Sequence, residues 1–206
     1  MFPTVEVRWF FKGEPPPAWV DWFYRQEQAP YVEPGRVDFY LRLVNDDSLG
    51  IKLREGRIEV KQRYRQYGPH RFASNVAGEV EHWRKWSFPL AGVGEIFKRI
   101  AAPESGWLAV QKKRQQQKYQ LVEEQVMALP PESVVEQGCD LELAQVKARQ
   151  QQWWSVGVEA HGNEATLRQQ LMRVTQHLFT PTAPLALTIE DSYSYPQWLR
   201  LLLGQD

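Results

Sequence analysis

Polar and apolar residues alternate along this chain in short runs, the period-two pattern of strands that bury one face. In residues 4–10, Thr4, Glu6 and Arg8 fall on one face and Val5, Val7 and Trp9 on the other. Residues 37–44 repeat the pattern, with Asp38, Tyr40 and Arg42 opposite Phe39, Leu41 and Leu43. Residues 50–64 predict a hairpin. Two alternating runs flank Glu55-Gly56, and a two-residue loop there pairs Lys52 with Glu59 and Arg54 with Arg57. Residues 77–88, 107–121, 139–143 and 154–159 continue the series. Glu79, Glu81, Trp83 and Lys85 share one face of their run, as Lys112 and Arg114 share one of theirs.

Helical spacing is rarer. Trp19, Trp22 and Phe23 predict an amphipathic helix over 18–28, inside an insertion of about 15–34 bounded by prolines, and its apolar ridge is expected to pack on the strands. Residues 90–100 predict a connecting helix. Leu167, Leu171, Val174 and Leu178 form a stripe that predicts a helix over 163–178, stopped by Pro181. Ser194 begins a terminal helical turn, so a helical segment covers about 163–206. The pattern implies one mainly β domain of the α+β class over 1–206, antiparallel, with peripheral helices.

Composition narrows the partners. The 25 basic and 25 acidic residues cancel, which argues against attraction to nucleic acid or anionic lipid through overall charge. Trp83-Arg84-Lys85-Trp86 has the aromatic-basic character of a nucleic-acid platform, but its alternation suits a strand equally well. The single Cys139 excludes an intrachain disulfide and alternates with Leu141 and Leu143 as a structural thiol. No apolar run is long enough to span a membrane and residues 1–11 read as a strand, so a soluble, cytoplasmic protein is expected. Oligomeric state leaves no signal.

The charged faces admit two architectures. In an open sheet, the charges form a salt-bridged, solvated surface, the common fate of such runs. In a closed barrel, cations and carboxylates converge on a lumen, where self-repulsion calls for an anion and the carboxylates for a divalent cation. A third arrangement reverses the facing, so that Ile51, Leu53, Ile58 and Val60 line an apolar calyx. Which face of the 50–64 hairpin points inward decides among them.

The runs Val5-Glu6-Val7-Arg8, Ile51-Lys52-Leu53-Arg54, Ile58-Glu59-Val60-Lys61-Gln62-Arg63 and Lys112-Lys113-Arg114 resemble, in order, the first strand, basic hairpin and later Lys-x-Arg strand of the CYTH superfamily. These are the triphosphate tunnel metalloenzymes, which include adenylyl cyclases, thiamine triphosphatases and inorganic triphosphatases. Asp140-Leu141-Glu142, Val158-Glu159 and Ser194-Tyr195 look like the family's acidic strands and closing element. The resemblance implies an eight-stranded antiparallel tunnel and a small phosphorylated ligand. It implies Arg8, Arg42, Lys52, Arg54, Lys61, Arg63, Lys112 and Arg114 as ligand-binding residues. Glu6, Glu142 and Glu159 would hold Mg²⁺ or Mn²⁺ and position water, with Glu59, Glu81, Lys85 and Asp140 elsewhere in the lumen. Thr4 stands where the Glu-x-Glu-x-Lys signature has its first glutamate, Arg8 where it has lysine, and His161 where a second late carboxylate is expected. The cationic set is intact, so the resemblance supports binding more directly than turnover. A non-catalytic phosphate-binding module is the alternative.

His70, His82 and His177 show no metal-ligand spacing, and only His161, beside Glu159, departs from an ordinary histidine. Neither a P-loop, a dinucleotide fingerprint nor a nucleophile elbow occurs.

Overall fold

The computed structural model describes residues 1–43, 45–100, 105–180 and 183–204. Its strands are β1 (Phe2–Lys12), β2 (Tyr31–Val32), β3 (Arg36–Leu41), β4 (Leu49–Arg54), β5 (Arg57–Ala73), β6 (Val76–Pro89), β7 (Trp107–Val122), β8 (Gln125–Leu129), β9 (Gly138–Ala148) and β10 (Gln151–His161). Every pairing between them is antiparallel. Eight run in the order β7-β3-β4-β5-β6-β1-β10-β9, and β9 returns to β7 through Gln111↔Lys147 to Tyr119↔Cys139. The sheet is therefore a closed barrel, with β2 and β8 added along β7. Length explains the closure: β7 gives residues 107–112 to β3 and 111–119 to β9.

Alternation divides each strand between two cores. The outward faces of β1, β9 and β10 (Val5, Val7, Trp9, Leu141, Leu143, Val156 and Val158) are buried beneath α3 (Leu167–Phe179), whose Leu167, Leu171, Val174 and Leu178 form the predicted stripe. α1 (Pro17–Tyr24) adds Trp19 and Phe23 to this cluster, and Trp22 stacks on Phe179 at 5.3 Å. At one end the inward series turns apolar. Arg8 is followed on its face by Phe10, Lys112 preceded by Val110, and Ser155 by Trp153. These gather around Trp198 and Leu202 of α4 (Tyr195–Leu202), with Phe10 stacked on Trp198 at 5.0 Å. α4 thus seals that end of the barrel with a hydrophobic plug.

The Glu55-Gly56 hairpin forms in the expected register, Lys52↔Glu59 and Arg54↔Arg57, with both loop residues at positive φ as a type I′ turn needs. Other boundaries move. β5 continues to Ala73 because register shifts after Arg63, Gln66 and Arg71 interrupt its alternation without ending it. β8 follows β7 through Glu123-Glu124, both at positive φ without glycine, so the turn leaves no signature. α1 ends at Tyr24, short of the predicted residue 28. The connecting helix α2 (Val93–Ile100) starts three residues late. α3 begins at Leu167 because Asn163 Oδ1 accepts the Ala165 N–H at 3.1 Å in a turn before it. β3 ends at Leu41, which leaves Arg42 exposed beyond the strand, and Val44 lies outside the described residues. No helix among the described residues is long and apolar enough to cross a membrane.

Candidate functional site

Inward side chains from all eight barrel strands meet around a cavity of about 120 Å³. Its wall carries eight cations (Arg8, Arg36, Lys52, Arg54, Lys61, Lys85, Lys112 and Arg114) and four carboxylates (Glu6, Glu59, Glu142 and Glu159). Tyr40, Trp83 and Tyr195 complete the lining with Gly50 and Pro196. The inward face of the hairpin is its charged one, since Lys52, Arg54, Glu59 and Lys61 line the cavity and Ile51, Leu53, Ile58 and Val60 do not. That removes both the open sheet and the apolar calyx.

Register places the charges in blocks. Glu81 on β6, Glu6 on β1, Glu159 on β10 and Asp140 on β9 are direct cross-strand neighbours, a row of four carboxylates on one face. Like charges directly opposite destabilise a sheet unless something intervenes. Here β5 intervenes: Lys61 Nζ lies 2.8 Å from Glu6 and 3.3 Å from Glu159, and Arg63 Nη1 lies 2.8 Å from Glu81. Opposite the row, β3, β4 and β7 carry Arg36, Lys52, Arg54, Lys112 and Arg114. Glu142 reaches across from β9, accepting from Arg8 Nη1 at 2.5 Å, Lys112 Nζ at 3.0 Å and Arg114 Nη1 at 3.3 Å. Glu59 takes Lys52 at 3.0 Å and Lys85 at 3.4 Å. Arg8 fits because Gly157 faces it across β10: a Cβ there would sit 2.7 Å from Arg8 Cζ.

These pairings correct the expectation that the lumen needs an outside anion to be tolerated. Internal carboxylates meet much of the demand. The lining nevertheless keeps twice as many cations as carboxylates.

Protonation follows the same division. Burial raises a carboxyl, yet Arg8, Lys112 and Arg114 hold Glu142 well below the usual range, and Lys52 and Lys85 bring Glu59 down to about 2. Burial pushes Glu81 up to about 7, offset only in part by Arg63 and reinforced by Glu6. Asp140 is also raised, by burial and then by Glu159, with His161 pulling the other way. Burial lowers Lys52 and Lys112 to about 8 despite their carboxylate partners.

Of the residues expected from sequence, Glu6, Arg8, Lys52, Arg54, Glu59, Lys61, Lys85, Lys112, Arg114, Glu142 and Glu159 line the cavity. Four others, Arg42, Arg63, Glu81 and Asp140, stay off its wall. Arg63 is engaged with Glu81 and with Asp47 at 2.5 Å, and Asp140 ends the acidic row. Arg42 is a correction: it caps the strand outside the lumen, where its N–H donates to Gly106 O at 2.9 Å. Cys139 is buried and structural. The residues missed are Arg36, Asp38 and Glu33. Arg36 shares the face of Asp38 and Tyr40 and was findable by extending that alternation one step. Asp38 is buried against Arg36 Nε at 3.0 Å and Lys52 at 3.8 Å.

Mg²⁺ and Mn²⁺ take oxygen donors of this kind. Among the described residues, however, no group of three or more Asp, Glu, His or Cys is arranged around a common point. The Lys61 ammonium lies between Glu6 and Glu159, and Glu142 is committed to three cations. As arranged, the three glutamates do not form one metal site.

No protein-family model matches the chain, and no curated protein matches it. Among solved structures the chain is similar to the PH1819 protein of Pyrococcus horikoshii OT3, with 12% identity and a TM-score of 0.48 over 98% of this chain and 99% of that one. The barrel assignment rests on the strand pairings alone.

Proposed function

We propose that the lumen binds a triphosphate-type anion, inorganic or organic. One observation carries this reading: eight cations from six strands converge on a single cavity whose wall supplies four carboxylates. Charges held in such a water-poor space interact strongly with a fixed polyanion. Arginine forks match pairs of phosphoryl oxygens, and lysines act as point charges. Tyr195 adds a hydroxyl that is buried without a hydrogen-bond partner, on a ring 4.8 Å from Lys112 Nζ and 5.2 Å from Arg8 Cζ. A phosphoryl oxygen would satisfy it. The ligand enters from the end opposite the α4 plug.

A second reading, divalent-metal-dependent hydrolysis of the phosphoanhydride, is favoured by the acidic row, where Glu81 and Asp140 are raised toward neutral pH. Thr4 at the first signature position leaves that row without a further carboxylate, so binding stands ahead of turnover.

Calorimetric titration with tripolyphosphate, ATP and thiamine triphosphate tests both, with and without Mg²⁺ or Mn²⁺ and beside a phosphate-release assay. Tripolyphosphate is expected to bind. Lys52→Met, which leaves Lys85 to Glu59, weakens it by about 10–100-fold through lost charge-assisted contacts, while the exposed Arg42→Ala leaves it unchanged. Affinity holds below pH 8 and falls above it, as Lys52 and Lys112 lose their protons. Phosphate release that requires Mn²⁺ or Mg²⁺ establishes the second reading. Absence of binding and release for all three compounds overturns the proposal.

A further inference from the structure

The insertion between β1 and β3 delivers a carboxylate to the cationic wall. Its chain is anchored by the buried Trp19 and Phe23 of α1, then pairs with β7 through Tyr31↔Gln116 and Val32↔Gln115. The Glu33 N–H donates to Arg114 O at 2.9 Å, and Pro34 follows directly. With its backbone fixed this way, Glu33 meets three arginines from three different strands. Arg114 grips it with Nε at 2.9 Å and Nη2 at 3.0 Å, Arg54 Nη2 lies 3.1 Å away, and Arg36 closes the third side. All three arginines line the cavity, whereas Glu33 does not.

The donors are consequently in use. Arg114 spends a two-pronged fork on Glu33 and Nη1 on Glu142, and Arg54 spends Nη2 on Glu33 and Nε on Glu55 at 3.3 Å. One carboxylate carries a single negative charge and two oxygens among three guanidinium groups. A phosphoryl group offers three oxygens and up to two charges, a closer match to three forks.

We infer that Arg36, Arg54 and Arg114 form an anion subsite for a terminal phosphoryl group, and that Glu33 occupies it as a built-in competitor which the ligand must displace. The inference rests on the proposed anion binding and adds to it a residue that limits the affinity. Exchange needs only rotation of the Glu33 side chain, because β2 and the Glu33–Arg114 backbone bond can stay in place. Every anion that takes the subsite loses the same factor to such a competitor, and a triphosphate spanning the lumen offsets that loss through further contacts with Lys52, Lys61 and Lys112.

The test is Glu33→Gln, titrated with orthophosphate, pyrophosphate and tripolyphosphate at low salt beside the parent protein, with folding checked by circular dichroism. Freeing a self-occupied site raises apparent affinity by the inverse of its free fraction, here about tenfold or more. The gain should be of similar size for every anion that takes the subsite and should vanish when Arg54→Ala is added to Glu33→Gln. Glu33→Asp, which keeps the charge but cannot span three arginines, should show a smaller gain and serves where Glu33→Gln does not fold. If the parent binds tripolyphosphate and the Glu33 variants bind it equally or more weakly, Glu33 merely positions the arginines and the inference falls alone. If neither parent nor variants bind any of the three anions, the reading of the lumen falls with it.

Discussion

Two walls of the same barrel solve the problem of buried charge in opposite ways. The wall of β6, β1, β10 and β9 sets Glu81, Glu6, Glu159 and Asp140 side by side, and the wall of β4, β3 and β7 sets five cations together. Neither contains enough of its own counter-charge. The acidic wall is neutralised from the β5 seam, where Lys61 and Arg63 lean over it. The cationic wall is met by Glu142 from the other seam, by Asp38 within it and by Glu33 from outside the barrel. The borrowed counter-ions differ in permanence. Lys61 and Glu142 belong to barrel strands, whereas Glu33 arrives on an inserted strap. On the proposed anion binding, the cationic wall is therefore the one whose compensation a ligand would replace.

Removing the borrowed charge at the more buried seam should do the most damage. Glu142 is 4% exposed and is shared by Arg8, Lys112 and Arg114. Glu142→Gln keeps the shape but leaves three cations facing one another, and breaking such a buried arrangement costs about 3–5 kcal/mol. Urea denaturation should show that loss, with partial recovery when tripolyphosphate is added. A change under 1 kcal/mol would mean that the wall tolerates its own repulsion.

The other seam is expected to yield less, because Lys61 is more exposed than Glu142. Lys61→Met leaves Glu6 and Glu159 adjacent without a bridging cation and should destabilise by about 2–3 kcal/mol at pH 8. The space between the two carboxylates then becomes a place for a divalent ion. Mn²⁺ should raise the melting temperature of Lys61→Met and leave the parent unmoved. Equal responses in both proteins would show that Lys61 does not compete with metal.

Much of this contrast is visible in the alternation, which assigns Glu6, Arg8, Lys52, Glu59, Lys61, Lys112 and Glu142 to one face before any contact is known. Alternation fails where the strand itself changes. Arg42 keeps the parity of Asp38 and Tyr40 but lies past the end of β3, and Arg63 sits beside a register shift. Parity also says which face a charge takes and nothing of its partner. That Lys61 bridges two glutamates, or that Glu142 gathers three cations, depends on tertiary distances. Glu33 is the extreme case. It belongs to no periodic run, and its Arg114 partner lies 81 residues away.

The acidic wall also makes a pH prediction, smaller than the two above. Glu81 is raised to about 7 in the folded protein, chiefly by burial, against an ordinary glutamate value in the unfolded chain. A carboxyl whose folded pKa is raised binds more protons folded than unfolded within that interval. Its contribution is fully present below the unfolded value and is lost as pH rises through about 7. Glu81→Gln remains neutral at every pH, and its amide oxygen can still accept from Arg63. Between pH 5 and pH 8 the variant should therefore gain about 1–2 kcal/mol relative to the parent. The gain should grow when Arg63→Gln is combined with Asp47→Asn, because Arg63 then no longer offsets the burial that raises Glu81. Parallel stability curves for parent and Glu81→Gln would place Glu81 ionised throughout, and the row of four would then depend on Lys61 and Arg63 far more than its burial implies.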